Sequence, residues 1–173
     1  MSREISQVDV WELARLRREL QGEAPVSDFA RLLSGLPGQA HRKVSWSLAG
    51  EADTLGRRYL LLRAQAVVSL ECQRCLGLFD LPLRVESRLR LVETEGELEA
   101  EENMEEDPDA PDRVLGSTRF DVLSLVEDEL ILALPYVPKH EVCPSPPDAL
   151  ETGEGGDTRR PSPFAVLAEL KKD

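Results

Sequence analysis

The sequence predicts an α+β fold: an antiparallel β-sheet, able to curl towards a barrel, covered by a few helices. Three observations lead there. Apolar residues alternate strictly through Lys43–Ala49, and every second residue is apolar along one face of Arg58–Leu70 and, for most positions, of Leu78–Val92. Period two with one wet face marks antiparallel strands rather than a buried parallel sheet. The segment Asp121–Leu134 instead repeats its apolar residues at helical spacing and stops at Pro135. Apolar residues make up 41% of the 173 but aromatics only 5%, so Leu, Val and Ala must build the core.

Taken in order, residues 9–21 are expected to form a helix. Ser6 or Asp9 can cap it, Val10, Leu13, Ala14 and Leu20 share a face, and Gly22 stops it. A shorter helix is expected from a Ser27 cap through Phe29, Leu32 and Leu33 to Gly35. In the three strands, Val44, Trp46 and Leu48 share a face, as do Leu60, Leu62, Ala64, Ala66, Val68 and Leu70, and then Phe79, Leu81, Leu83, Val85, Leu89 and Leu91. Strand count and closure are not set by this pattern. Asp121 is placed to cap the helix that runs to Leu134. Residues 144–160 hold Pro144, Pro146, Pro147, Gly153, Gly155 and Gly156, the composition of a flexible linker. A terminal helix over 161–173, with Ser162 and Pro163 at its start, would offer Phe164, Leu167 and Leu170 for docking or for a partner.

The chain is thus read as one domain, residues 1–143, with an acidic insert over 93–118, then a linker and a helix. Its net charge of −12 is unevenly spread. Residues 93–112 hold eleven carboxylates and no Lys or Arg, whereas residues 1–90 carry 14 basic and 11 acidic side chains. The insert repels itself and is expected to be disordered. The low isoelectric point therefore describes one segment and leaves a nucleic-acid partner open to the rest. Three cysteines exclude a disulfide-dense scaffold. The longest apolar run, Leu130–Leu134, is far short of a membrane span, and the first ten residues lack the apolar core of a secretory signal. A cytoplasmic protein without membrane contact is the expectation.

Cys72-Gln73-Arg74-Cys75-Leu76-Gly77 has the form of a metal knuckle. Two residues between thiolates let both sulfurs reach one ion, and a nearby Gly eases the turn. His140 and Cys143 repeat the spacing, so Cys72, Cys75, His140 and Cys143 make a Cys₃His set suited to zinc. Sixty-four residues separate Cys75 from His140, more than a compact zinc ribbon uses. Three reduced thiols and an unrelated His, with no cofactor, is the competing reading. A redox pair would need a helix after the first cysteine, and a strand pattern follows instead.

Glu127, Asp128 and Glu129 are consecutive on a helix, so they diverge and make a poor catalytic or two-metal group. Glu129 falls in the apolar arc with Val122 and Leu125, with Glu127 and Asp128 flanking it. It is expected to be the partly buried acid, held by an Arg or by backbone amides. Arg84, Arg88 and Arg90 lie on the wet face of the third strand, where Arg63 and Arg74 could join them against phosphates. A solvated sheet face is the plainer alternative. No phosphate loop, GxSxG elbow or HExxH is present, and no enzyme is expected.

Three stretches in this order, Glu71-Cys72-Gln73-Arg74-Cys75-Leu76, the helix from Phe120 to Pro135 running into Val137–Cys143, and the tail Pro161–Lys171, give the chain its resemblance to a known family. It resembles the YceD family, bacterial large ribosomal RNA subunit accumulation proteins. In many relatives the second half-site is a pair of cysteines, where this chain has His140 and Cys143. The resemblance implies a ribosome biogenesis factor with no catalytic residues. It would support large-subunit ribosomal RNA by binding RNA or a ribosomal particle. The alternative is an adaptor that binds only protein, such as a basic ribosomal protein, through its acidic loop and terminal helix.

Overall fold

The computed structural model describes residues 7–99 and 110–144. Its elements are β1 (Gln7–Val8), α1 (Val10–Leu16), β2 (Glu19–Pro25), a 3₁₀ turn (Val26–Asp28), β3 (Lys43–Ala52), β4 (Arg58–Glu71), β5 (Leu78–Val92), α2 (Glu95–Glu99), β6 (Arg113–Leu115), β7 (Phe120–Asp121) and α3 (Val122–Leu132). Five strands form one open sheet in the order β2-β3-β4-β5-β6, antiparallel except for the β5–β6 pair, and β1 pairs with β7. The α+β class holds. Among the described residues the sheet does not close into a barrel.

The three long strands lie where alternation put them, because a one-residue slip would turn every apolar side chain to water. The inner faces of β3 and β4, from Val44 to Leu48 and from Leu60 to Leu70, are buried. On β5, Leu83, Leu89 and Leu91 are buried, and Phe79, Leu81 and Val85 are half-buried against the same core. Val10, Leu13 and Ala14 of α1, and Val122, Leu125, Val126 and Leu130 of α3, close that core from one side.

The helix expected over 9–21 is corrected to Val10–Leu16. The Asp9 carboxylate caps it, accepting the amides of Trp11 and Glu12 at 2.9 and 3.0 Å. Arg17 then turns left-handed, φ 50°, and the chain re-enters as β2. Glu19 to Ala24 alternates charged or polar with small or apolar residues, a strand pattern that the helical reading overrode. Gly22 is accordingly no stop signal. It sits in β2 opposite Trp46, where a Cβ would lie 2.5 Å from the indole.

The helix expected from Ser27 to Gly35 is a single 3₁₀ turn followed by further turns. Phe29 and Leu32 are driven into the core, and the amides of Arg31 and Leu32 bond a carboxylate of α3 instead of helix carbonyls. The acidic insert is corrected at both ends. Thr94 Oγ1 accepts the Glu97 amide at 3.3 Å, and the Glu97 carboxylate accepts the Glu93 amide at 3.0 Å. The Thr94 cap and the Glu97 carboxylate together set α2 at the insert's start. At its end β6 lies along β5, with Val114 against the core. Residues 100–109 between them lie outside the described residues, as do the linker beyond Pro144 and the segment holding Phe164, Leu167 and Leu170.

Candidate metal centre and sheet face

The β4–β5 connection is a tight knuckle. Leu76 donates its amide to the Cys72 carbonyl at 2.8 Å, and Cys72 donates to the Gly77 carbonyl at 2.9 Å. The left-handed position is taken by Leu76, φ 58°, and not by the expected Gly77. A side chain there costs about 1 kcal/mol, which the surrounding turn must hold. The segment after α3 docks on the knuckle, the Gln73 amide donating to the Pro138 carbonyl at 2.9 Å. That bond carries His140 and Cys143 to Cys72 and Cys75.

The donor atoms of Cys72, Cys75, His140 and Cys143 all lie within 4.8 Å of one another. Cys72 Sγ is 3.8 Å from Cys143 Sγ, and Cys75 Sγ is 3.3 Å from His140 Nδ1. A tetrahedral zinc ion with ordinary bond lengths needs edges of about 3.8 Å between sulfurs and about 3.6 Å from sulfur to nitrogen. The four residues therefore could hold one metal ion, with His140 binding through Nδ1, and the donor set fits zinc.

The surroundings act in opposite directions on Cys72 and Cys75. Burial pushes the Cys72 thiol up, but the amides of His140, Cys75 and Arg74 outweigh it and bring its pKa down to about 5. For Cys75 the Gly77 amide pulls down, yet burial and the Cys143 and Cys72 sulfurs together push it up. With a divalent ion bound, three thiolates would leave one negative charge. Arg74 stands where it would meet that charge, donating Nε to Cys143 Sγ at 2.9 Å and a second nitrogen to the His140 carbonyl at 3.1 Å. Arg74 is thus placed as a partner of the cluster, away from the sheet-face arginines it was grouped with. The ring of Phe79 stands 4.8 Å from that of His140.

The other sequence candidates divide. Arg84, Arg88 and Arg90 form one column on the outer face of β5. Arg63 lies beside them on β4 but is held by Glu86 at 2.8 Å. Arg88 stacks over Tyr59 at 4.0 Å and approaches Glu51 at 3.8 Å. Arg84 and Arg90 make no ion pair among the described residues. Arg42, just before β3, is bound to Asp80 at the start of β5, and Lys43 of β3 to Glu23 of β2.

Glu129 is half-buried and takes the Ser87 hydroxyl of β5. The partners expected for it, an Arg and backbone amides, belong instead to Glu127. That carboxylate is 8% exposed and accepts the amides of Arg31 and Leu32 at 2.7 and 3.1 Å and Arg31 Nε at 2.9 Å. The signal for it was present: Leu123 and Leu130, four residues before and three after, put it on the apolar face. Arg31, whose guanidinium also meets Asp128 at 2.6 Å, gave no such signal. Glu127→Ala is expected to cost about 3 kcal/mol, because it strands the buried Leu32 amide. Glu127→Gln, which keeps an acceptor, should cost about 1 kcal/mol, and urea unfolding of both variants measures the difference.

Comparison with known proteins adds two findings. A family model described as Large ribosomal RNA subunit accumulation protein YceD matches residues 60–171. A protein of that name from Haemophilus influenzae is 34% identical over 119 residues, 64% of this chain. The match spans 63% of that relative's length. No solved structure matches. The matched span holds all of β4 but its first two residues, β5, the Cys72, Cys75, His140 and Cys143 cluster and α3.

Proposed function

The chain belongs to the YceD family of large ribosomal RNA subunit accumulation proteins, and from that premise we propose that it supports large-subunit ribosomal RNA by binding RNA or a ribosomal particle. The observation that carries the binding mode is the arginine column of β5, in which Arg84 and Arg90 have no carboxylate partner among the described residues. Guanidinium groups in a row on an open sheet face can contact successive phosphates. Neither Glu127 nor Glu129 is free to act with the other. One holds Arg31 and the other Ser87, which supports binding over catalysis. The eleven carboxylates of residues 93–112 repel phosphate, so they limit adhesion to RNA at large.

Gel shifts with large-subunit ribosomal RNA fragments across salt test this reading. Affinity should fall as salt rises, and the variant Arg88→Gln/Arg90→Gln should reduce the log–log slope by about two. Binding indifferent to salt, or none, would overturn it.

A second reading has its own observation. Leu76, Leu78, Tyr136, Val137 and Val142 are exposed, and all belong to the two segments that the cysteine cluster joins. An apolar surface of this kind suits a protein partner. Crosslinking the chain within ribosomal particles separates the two: RNA attached at β5 supports the first, and protein attached at this apolar end supports the second.

A further inference from the structure

We propose that the chain forms a two-fold dimer in which the free edge of β5 pairs with the same edge of a second copy. β5 is 15 residues long, and β4 follows it from Leu78 to Arg90. On its other side, among the described residues, only Arg90 to Val92 are paired, with β6. The Arg90 amide donates to the Asp112 carbonyl at 2.7 Å, so the even-numbered residues of β5 point their backbone groups away from β4. Among the described residues, nothing pairs with the outward backbone groups of Asp80, Pro82, Arg84, Glu86 and Arg88. Pro82, with no amide hydrogen, occupies one of these positions, where it breaks no bond to β4.

A bare edge is commonly blunted by proline, by charged side chains or by a covering element, and charges protect it best when they repel their copies across the pairing. β5 instead alternates Arg84, Glu86 and Arg88, all exposed on one face. That alternation is self-complementary about a two-fold axis through Val85. Arg84 then lies opposite the second copy's Glu86, and Glu86 opposite its Arg84, each row exchanging two main-chain bonds. Pro82 faces Arg88 and accepts one. Sliding one strand by two residues one way puts Arg84 opposite Arg88 and Glu86 opposite itself, which repels; the other way puts Arg84 opposite itself and leaves Arg88 facing Asp80, which Arg42 already holds at 2.6 Å. Beyond Arg88 the edge is closed by β6, so the paired stretch runs from Pro82 to Arg88. Leu81 and Val85, half-buried at this margin, become covered when the sheet continues across the axis.

The test is sedimentation of the full chain in reducing buffer, without RNA, from about 5 to about 500 µM. The wild type should pass from monomer to dimer in that range. Arg84→Glu and Glu86→Arg should each weaken dimerisation at least about tenfold, since each turns two attractive rows repulsive. An equimolar mixture of the two variants should restore it, because both rows between positions 84 and 86 then join a Glu to an Arg. Both side chains are exposed, so matching thermal melts verify the folds. A chain that stays monomeric, a dimer indifferent to the substitutions, or a mixture that fails to recover would each overturn the proposal. The readout is mass alone, so this result and the RNA result stand or fall separately.

Discussion

Replacing Cys75 by alanine is expected to empty the metal centre. Cys75 is half-exposed and lies outside the hydrophobic core, so its loss removes a donor with little loss of packing. Three donors remain, and a structural zinc site is closed by four. Metal content, measured by elemental analysis of protein purified in zinc, should fall from about one ion per chain to below about one tenth. The second consequence is structural. The segment from Pro138 to Cys143 is joined to the knuckle by the Gln73–Pro138 bond, the Arg74 bonds and the donors themselves. Amide exchange should accelerate there on loss of the ion and remain slow in β3 and β4, which have their own core. Unchanged metal content in the variant would refute the assignment of this residue as a ligand.

Gly50→Ala should destabilise the protein by about 4 kcal/mol, above the usual cost of an extra core methyl group. Gly50 lies in β3, where α1 crosses the sheet. A Cβ there would overlap the Leu13 carbonyl and lie 2.5 Å from the Ala14 nitrogen. Both are backbone, so no side chain can swing aside. The helix would have to lift, uncovering Val10, Leu13 and Ala14, all buried. Gly56 gives the contrast. It has φ +80° and open space around its Cα, so Gly56→Ala should cost only about 1 kcal/mol, from backbone strain alone. Denaturant midpoints of the two variants measure the gap, and equal losses would show that α1 does not rest on Gly50 in solution.

The sheet was legible in the sequence because burial of one face writes itself as alternation. β3, β4 and β5 needed nothing else. The donor set was legible as residue types, but not its closure. Nothing local to Cys75 or His140 says that Gln73 will bond Pro138 across the intervening 64 residues. The extent of α1 was missed because Leu20 fits a helical face and a strand face alike, and the left-handed Arg17 that decides between them is an arginine, not a glycine. The buried acid was placed one helical face away. Glu127 and Glu129 both border apolar residues, and the choice between them is made by a loop some 96 residues distant, which brings the Arg31 amide to Glu127. Long-range partners of this kind leave no periodic trace.

The chain has two tryptophans, and each lies over a glycine of a different element. Trp46 is inside the sheet, 6% exposed, against Gly22. Trp11 is on α1 against Gly116, with the Arg58 guanidinium 5.1 Å from its ring. The molecule thus contains two optical probes of separate events. Emission from the first shifts only when the strands part, whereas the second responds as soon as the helix and the loop after β6 separate. Single-indole versions would follow the two by fluorescence without any attached dye.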